Sequence, residues 1–346
     1  MKKLISLALA LTLTTALLAG CGKTASAGSS GAAAASGSSQ FEKMTWKFST
    51  SGGEQSTWAV AGKYFAELIS DATDGAVTVE CYPSDQLTSG SQVDGIQALM
   101  DGTTDISMHS NLIYSSFDPR FNVVSLPFLF SSYEDADAKL DGDGGAALQD
   151  VLDQYALHCM GIGENGFRDP TNSKHEIQSP ADMKNMKIRV AGSALLNREY
   201  ELWGADYANA NWSEVFTALQ TGTYDGQENP LTAADSASIQ EVQKYCTLWT
   251  GTYDCAFFCM NKDLYESLSP ELQKIVDECG HETLVYQREI SRNQNDDIIA
   301  KWEAAGVTFT ELTDEQARVF KDASAACYDE FSEELTPELI SAFTGE

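Results

Sequence analysis

Apolar and polar residues divide this chain into two units built in the same order. Met44–Thr50 (MTWKFST) reads as a strand. After the polar turn SGGEQST a helix is predicted over Trp58–Ser70, where Ala59, Gly62, Phe65, Ala66 and Ile69 recur at helical spacing. Ala76–Pro83 (AVTVECYP) is the next strand, stopped by its proline. Helix Val93–Met100 closes at Gly102, a residue able to adopt positive φ, and strand Thr104–Met108 follows. The second unit has strand Met186–Gly192, helix Leu195–Trp203, and a helix Trp212–Thr221 that closes at Gly222. Asn211 is placed to cap that last helix, with Glu214 three residues on in a capping-box arrangement. One or two long helices are predicted from Ser269 to Gly306, then an acidic tail of helical pattern after Thr313. Such alternation of helix and strand calls for parallel or mixed sheets with helices on their faces.

A short phrase occurs once in each unit: ALMDGTTD at Ala98–Asp105 and ALQTGTYD at Ala218–Asp225. Each copy ends a helix and turns into a strand. In open α/β sheets ligands lie beyond the carboxyl ends of the strands. His109, Ser110 and Asn111 follow the first strand, and Gln227, Glu228 and Asn229 follow the second. Two such loops facing each other across an interdomain gap make a binding cleft, and nothing in that geometry requires chemistry on the ligand.

At 346 residues, two domains are the expectation, and 43% hydrophobic residues are ample for their cores. A mean hydropathy of −0.24 argues against a polytopic membrane protein. The net charge of −29 opposes binding to nucleic acid or anionic lipid, and any anion site must be built from local basic groups. Lys2 and Lys3 precede the apolar run Leu4–Leu18 and then Leu18–Cys21 (LAGC), a secretory signal over 1–20 whose end resembles a bacterial lipobox. That resemblance implies cleavage before Cys21 and lipid attachment to its sulfur, hence a membrane anchor. An ordinary signal peptide with an incidental cysteine is the alternative. The Gly/Ala/Ser-rich tract that follows, within 21–42, has the composition of a flexible linker. Seven further cysteines leave at least one unpaired, and no pairing can be assigned; Cys255 and Cys259 read as core packing.

Enzyme signatures are missing. There is no Gly-x-Ser-x-Gly elbow. His175-Glu176 and His281-Glu282 open like zinc motifs, yet Ser179 and Val285 stand where the second histidine belongs. Gly161–Gly166 (GIGENG) matches a dinucleotide fingerprint, but Phe167-Arg168-Asp169-Pro170 follows instead of a helix, so it reads as a flexible crossing between domains. The expectation is therefore no enzyme, no cofactor and no metal.

Charge placement narrows the site. In Phe167–Tyr200 the cations Arg168, Lys174, Lys184, Lys187, Arg189 and Arg198 outnumber the acids. Arg189 sits inside the strand Lys-Ile-Arg-Val, where a guanidinium can hold a carboxylate by two parallel hydrogen bonds. An edge-strand arginine paired with a surface acid fits the pattern equally well.

The segments GFRDPTNSKHEIQSPADMKNMKIRV and WSEVFTALQTGTYDGQENPL resemble the substrate-binding proteins of TRAP (tripartite ATP-independent periplasmic) transporters, the C4-dicarboxylate-binding receptor family; SLPFLF at Ser125–Phe130 also matches. The resemblance covers the chain from Trp46 on. It implies a two-domain α/β fold of the periplasmic-binding-protein kind, with crossing strands, a long connecting helix and an interdomain cleft that closes over a small organic acid. Domain I would comprise 43–166 plus 255–294, and domain II 167–254 plus 295–346. By the same analogy Arg189 is the main carboxylate clamp, Arg168 a second basic contact, Asn229 a hydrogen-bonding group and Trp212 an aromatic against the ligand. The alternative for Trp212 is an aromatic that merely starts its helix. Glu54, His109 and Asn111 would reach in from the first domain, unless Glu54 caps the next helix and His109 is only packed. The partners implied are a small organic acid and the membrane subunits of an ion-driven TRAP permease, at the outer face of the membrane or in the periplasm. An ABC-importer or sensor-linked binding lipoprotein is the alternative. MKNMKIRV, NANW and TGTYDCAFF depart from the family pattern, which bears on which ligand is held.

Overall fold

The computed structural model describes residues 40–345. Eleven strands among them form two sheets. These are β1 (Met44–Thr50), β2 (Val77–Tyr82), β3 (Ile106–Ser110), β4 (Leu157–Phe167), β5 (Asp169–Asn172), β6 (Lys187–Val190), β7 (Asp206–Asn209), β8 (Gly226–Asn229), β9 (Tyr245–Leu248), β10 (Tyr253–Asn261) and β11 (Thr308–Glu311). One sheet has the order β2-β1-β3-β10-β4, the other β7-β6-β8-β5-β9-β11. The same plan underlies both. In the first, β1 runs parallel to β2 and β3, and β10 is antiparallel to β3. In the second, β6 runs parallel to β7 and β8, and β5 is antiparallel to β8. The chain changes sheets three times, at Arg168 between β4 and β5, over 249–252 between β9 and β10, and over 262–307 between β10 and β11.

The duplicated phrase is the seam of each unit. Gly102 (φ +70°) and Gly222 (φ +74°) end their helices in the left-handed region. Thr103 and Thr223 then donate their amides back to the carbonyls of Ala98 and Ala218, at 2.8 and 2.9 Å. The closing aspartates do the same work twice. Asp105 accepts the Lys47 amide through its carboxylate at 2.7 Å, and Asp225 accepts the Lys187 amide at 3.0 Å. Each acid thereby fixes where β3 or β8 joins β1 or β6, and so where its far end emerges.

Predicted and observed elements agree within a few residues over most of the chain: helices occupy Thr57–Ala72, Gln92–Met100, Ala194–Leu202 and Trp212–Gln220. Serine side chains cap the first three, Ser56, Ser91 and Ser193 accepting the amides of Ala59, Asp94 and Leu196. The capping box at Asn211 does not form. Its side chain makes no cap bond, and the Glu214 amide goes to the Asn211 backbone carbonyl at 3.1 Å instead. GIGENG is not a flexible crossing: it lies within the 11-residue strand β4, laddered antiparallel to β10. The C-terminal stretch does not pack wholly with the second sheet. Phe320 of helix Asp314–Ser324 meets Trp203 and Trp249 at centroid distances of 5.3 and 4.9 Å, whereas Phe343 of helix Pro337–Thr344 meets Phe130 at 6.2 Å. Tyr253 and Asp254 likewise belong to the first sheet, opposite Phe167 and Gly166.

A continuous apolar core joins residues from both sheets, among them Phe257 and Cys259 of β10, Ile188 and Val190 of β6, and Trp249 of a crossing segment. Two further cores back the outer faces, one around Phe48, Phe65 and Phe258, the other around Val215, Leu219 and Trp302. Helix Pro270–Arg292 runs 23 residues along the first sheet's helical layer, and its Arg292 pairs with Asp137 and Glu164 at 2.7 and 2.6 Å. Among the described residues no helix is long and apolar enough to cross a membrane. The signal, Cys21 and most of the linker lie outside the described residues.

Candidate ligand-binding cleft

The carboxyl ends of β1, β3, β6 and β8 converge on one cavity. Ser51, Gly52, Ser56, Trp58, Gln92, Ser110 and Ile113 line it from one lobe; Arg189, Ala191, Trp212, Asn229, Ala233 and Ser236 line it from the other. Asn165, Arg168 and Asp254 occupy the crossing strands between them. Its rims are in contact. Ser213 Oγ donates to the Gly90 carbonyl at 3.2 Å, Ser193 Oγ to Asn122 Oδ1 at 2.7 Å, and the Trp212 amide approaches Gln92 Oε1 at 3.4 Å.

Arg168 and Arg189 are both almost fully buried, at 3% and 2% exposure, but their environments differ. Arg168 is saturated with anions: Nε meets one Glu228 oxygen, Nη2 the other at 3.1 Å, and Nη1 meets Asp254 Oδ2. Nη2 also reaches the Glu228 carbonyl and Asn229 Oδ1, at 2.9 and 3.0 Å. Burial works against its charge, yet Glu228 and Asp254 more than offset this and hold its pKa above the ordinary value. Arg189 has no carboxylate partner among the described residues. Its Nε and Nη2 share the Ala210 carbonyl at 3.0 and 2.6 Å, and the guanidinium carbon lies 5.7 Å from the Trp212 ring centroid. Burial lowers its pKa to about 10; Glu228 opposes that shift and Arg168 adds to it. Because Nε and one Nη2 hydrogen are committed to Ala210, the Nη1–Nη2 edge remains as a two-pronged donor.

Asp254 is the acid of the cavity. It accepts from Arg168, from Ser110 Oγ at 2.7 Å and from Asn165 Nδ2 at 2.7 Å. Burial raises its pKa, while Arg168, Asn165 and Ser110 favour the anion. Asn229 accepts from Arg168 and donates to Gln227 Oε1 at 2.8 Å, so its orientation is set.

Of the residues expected from sequence, Arg189, Arg168, Asn229 and Trp212 lie on the cavity wall; Glu54, His109 and Asn111 do not. The Glu54 side chain is 68% exposed and sits 3.9 Å from Lys63, while Ser56, two residues on, caps the helix and faces the cavity. Side chains alternate across a strand, so with Ser110 facing inward His109 points the other way, fully buried, 2.8 Å from Asp85. Asn111 is spent on structure: it donates to the Phe121 carbonyl and Ser125 Oγ and accepts the Cys255 amide. Sequence reasoning missed Trp58, Asn165 and Asp254. For Asp254 a signal existed, since TGTYDCAFF departs from the family pattern at that place. Among the described residues no cluster of His, Cys, Asp and Glu is placed to hold a metal ion, and the seven cysteines are unpaired.

Two α/β lobes joined by crossing strands, with strand ends opening on a shared polar cavity, define a receptor that encloses a small solute. The chain belongs to the bacterial extracellular solute-binding proteins, family 7, whose model matches residues 48–334. It is 32% identical over 264 residues to the 2,3-diketo-L-gulonate-binding periplasmic protein YiaO of Escherichia coli, covering 76% of this chain and 79% of that one. Among solved structures it is similar to the sugar acid binding protein DctPAm of Advenella mimigardefordensis in complex with galactonate, with TM-score 0.84 and 29% identity over 88% and 97% of the two chains. It is also similar to a TRAP periplasmic solute-binding protein of Sulfurospirillum deleyianum with bound succinate, with TM-score 0.82 and 26% identity over 88% and 99%. The family is one of solute-binding receptors.

Proposed function

We propose that this cleft captures a small organic acid through its carboxylate and hands it to an ion-driven TRAP-type permease. The observation that carries this reading is Arg189, a buried guanidinium with a free donor edge on the cavity and no carboxylate partner among the described residues. A carboxylate there would gain two charge-assisted hydrogen bonds and give Arg189 the direct ion-pair partner it lacks among the described residues. Trp212 would cover the bound carboxylate from one side, and Asn229 would offer its remaining amide hydrogen. Arg168 holds the crossing strands in register around Glu228 and Asp254 and acts as a positioning residue. Relatives that hold galactonate or succinate support an acid as the ligand class. Closure of the lobes over the ligand stabilises one conformational population, which the permease can distinguish from the open one.

At its N-terminus we read Leu18–Cys21 as a lipid attachment site that tethers the receptor to the outer face of the membrane. Cys21→Ser is expected to release the protein into the soluble fraction. Domains I and II are proposed to move as the lobes carrying the first and second sheets.

A thermal-shift panel of organic acids and neutral sugars tests the ligand class. An acid at about 100 times its dissociation constant adds roughly 2.7 kcal/mol of stability. A response to neutral sugars with none to acids removes the proposal.

A further inference from the structure

We infer that the site selects hydroxylated monocarboxylates and disfavours dicarboxylates, because Asp254 sets a fixed acceptor in the same cavity as Arg189, the one lining cation without a carboxylate partner among the described residues. The inference rests on carboxylate capture by Arg189 and names the class of acid.

The cavity's charged lining consists of Arg168, Arg189 and Asp254. Glu228 lies directly behind, 1% exposed and bound to Arg168. The two arginines and two acids are thus balanced before any ligand arrives. One carboxylate on Arg189 makes the site singly negative. A second carboxylate would make it doubly negative, in a place where burial makes unpaired charge expensive. It would also find no cation, since Arg168 already serves Glu228 and Asp254.

Hydrogen-bond polarity leads to the same class. Asp254 accepts from Arg168, Asn165 and Ser110, and Ser110 Oγ is itself an acceptor for the Leu112 amide, so its proton points at Asp254. A carboxylate offers about four acceptor positions, which leaves one for a ligand donor. A hydroxyl can donate there; a second carboxylate can only repel. The remaining polar wall is neutral: Ser56, which accepts the Ala59 amide, can still donate, and Ser236, which donates to the Ala233 carbonyl at 2.8 Å, can still accept, which suits ligand hydroxyls.

Calorimetry on the wild-type protein tests this with D-erythronate, D-galactonate, succinate and monomethyl succinate. The better sugar acid should bind at least about tenfold tighter than succinate, a difference of about 1.4 kcal/mol. Monomethyl succinate, which masks one charge of the same skeleton, should also bind tighter than succinate. Asp254→Asn should narrow or reverse the preference, and the wild-type comparison stands even if that variant folds poorly. Succinate binding as tightly as both sugar acids, or tighter than its monoester, overturns the inference and leaves carboxylate capture intact. Silence from all four acids removes both.

Discussion

Arg168 and Arg189 face one cavity, yet Arg168 is locked between Glu228 and Asp254 while, among the described residues, Arg189 donates only to the Ala210 carbonyl. The two guanidiniums therefore have different jobs. One neutralises acids that the fold itself buries, and the other is left incomplete until an anion enters. Mutating them should separate stability from binding.

Arg189→Ala should lose about 2–5 kcal/mol of ligand affinity, the range for truncating one partner of a buried charged pair. Arg189→Lys should recover only part, because an ammonium lacks the fork. Since Arg189 has no carboxylate partner to strand among the described residues, the ligand-free variant should lose less stability than Arg168→Met. Calorimetry and urea unfolding on the same preparations check both halves; wild-type affinity in Arg189→Ala ends the assignment.

Arg168→Met should act through the fold. Its removal strands Glu228 and Asp254, 1% and 0% exposed, without their cation. Breaking a buried pair in this way costs about 3–5 kcal/mol. Urea unfolding without ligand reads this directly, and a loss below 1 kcal/mol would show that the acids find other partners or protons.

The duplicated aspartates predict matched effects in distant places. Asp105→Ala and Asp225→Ala each remove a carboxylate acceptor from a strand amide, at Lys47 and Lys187. Each should destabilise by about 1.5–3 kcal/mol, the range for a hydrogen bond to a charged group. Denaturation midpoints check the pair; unchanged midpoints in both would leave the seam without energetic weight.

Those aspartates also mark what could be read from the sequence. Helix periodicity, the glycines after each helix and the repeated phrase carry local information, so both α/β units and the strand ends on the cleft were legible. Arg189 stood out because a cation between Ile188 and Val190 needs a reason. Asp254 and Asn165 were hidden because their importance comes from strands that meet only in the folded molecule: Asp254 lies in β10, Asn165 in β4, and Arg168, which shares the Asp254 carboxylate with Asn165, at the crossing. His109 and Asn111 were misplaced for a related reason. Being next to a strand end does not say which side a side chain faces, and Asp85 and Ser125 had claimed them.

Closure can be obstructed at the rim. Gly90 sits at φ +87°, and a Cβ there would lie 2.7 Å from Ser213 Oγ on the opposite lobe. Gly90→Ala should weaken ligand binding by disfavouring the closed arrangement, since only the competent population contributes to affinity. Ser213→Gly in the same chain should return the part due to collision, and the backbone part should persist. Calorimetry of the two single variants and the double variant separates the terms; additive losses would mean that the rim contact plays no part in closure.

Glu199 gives the fold a pH dependence of its own. It is fully buried in helix Ala194–Leu202, and its oxygens lie 2.9 and 3.2 Å from the one hydroxyl of Thr252. Burial raises its pKa well above the ordinary value; Thr252 opposes the shift and the nearby Glu228 adds to it. An acid whose pKa is higher folded than unfolded contributes stability that is complete below the unfolded value, about 4.3, and is lost as pH rises through the folded value. Glu199→Gln keeps the shape and removes the titration. Relative to wild type it should gain stability as pH increases from about 5 to 8, with a flatter profile. Urea unfolding of both proteins across that range is the measurement, and parallel curves would mean that Thr252 alone suffices to hold the ionised carboxylate.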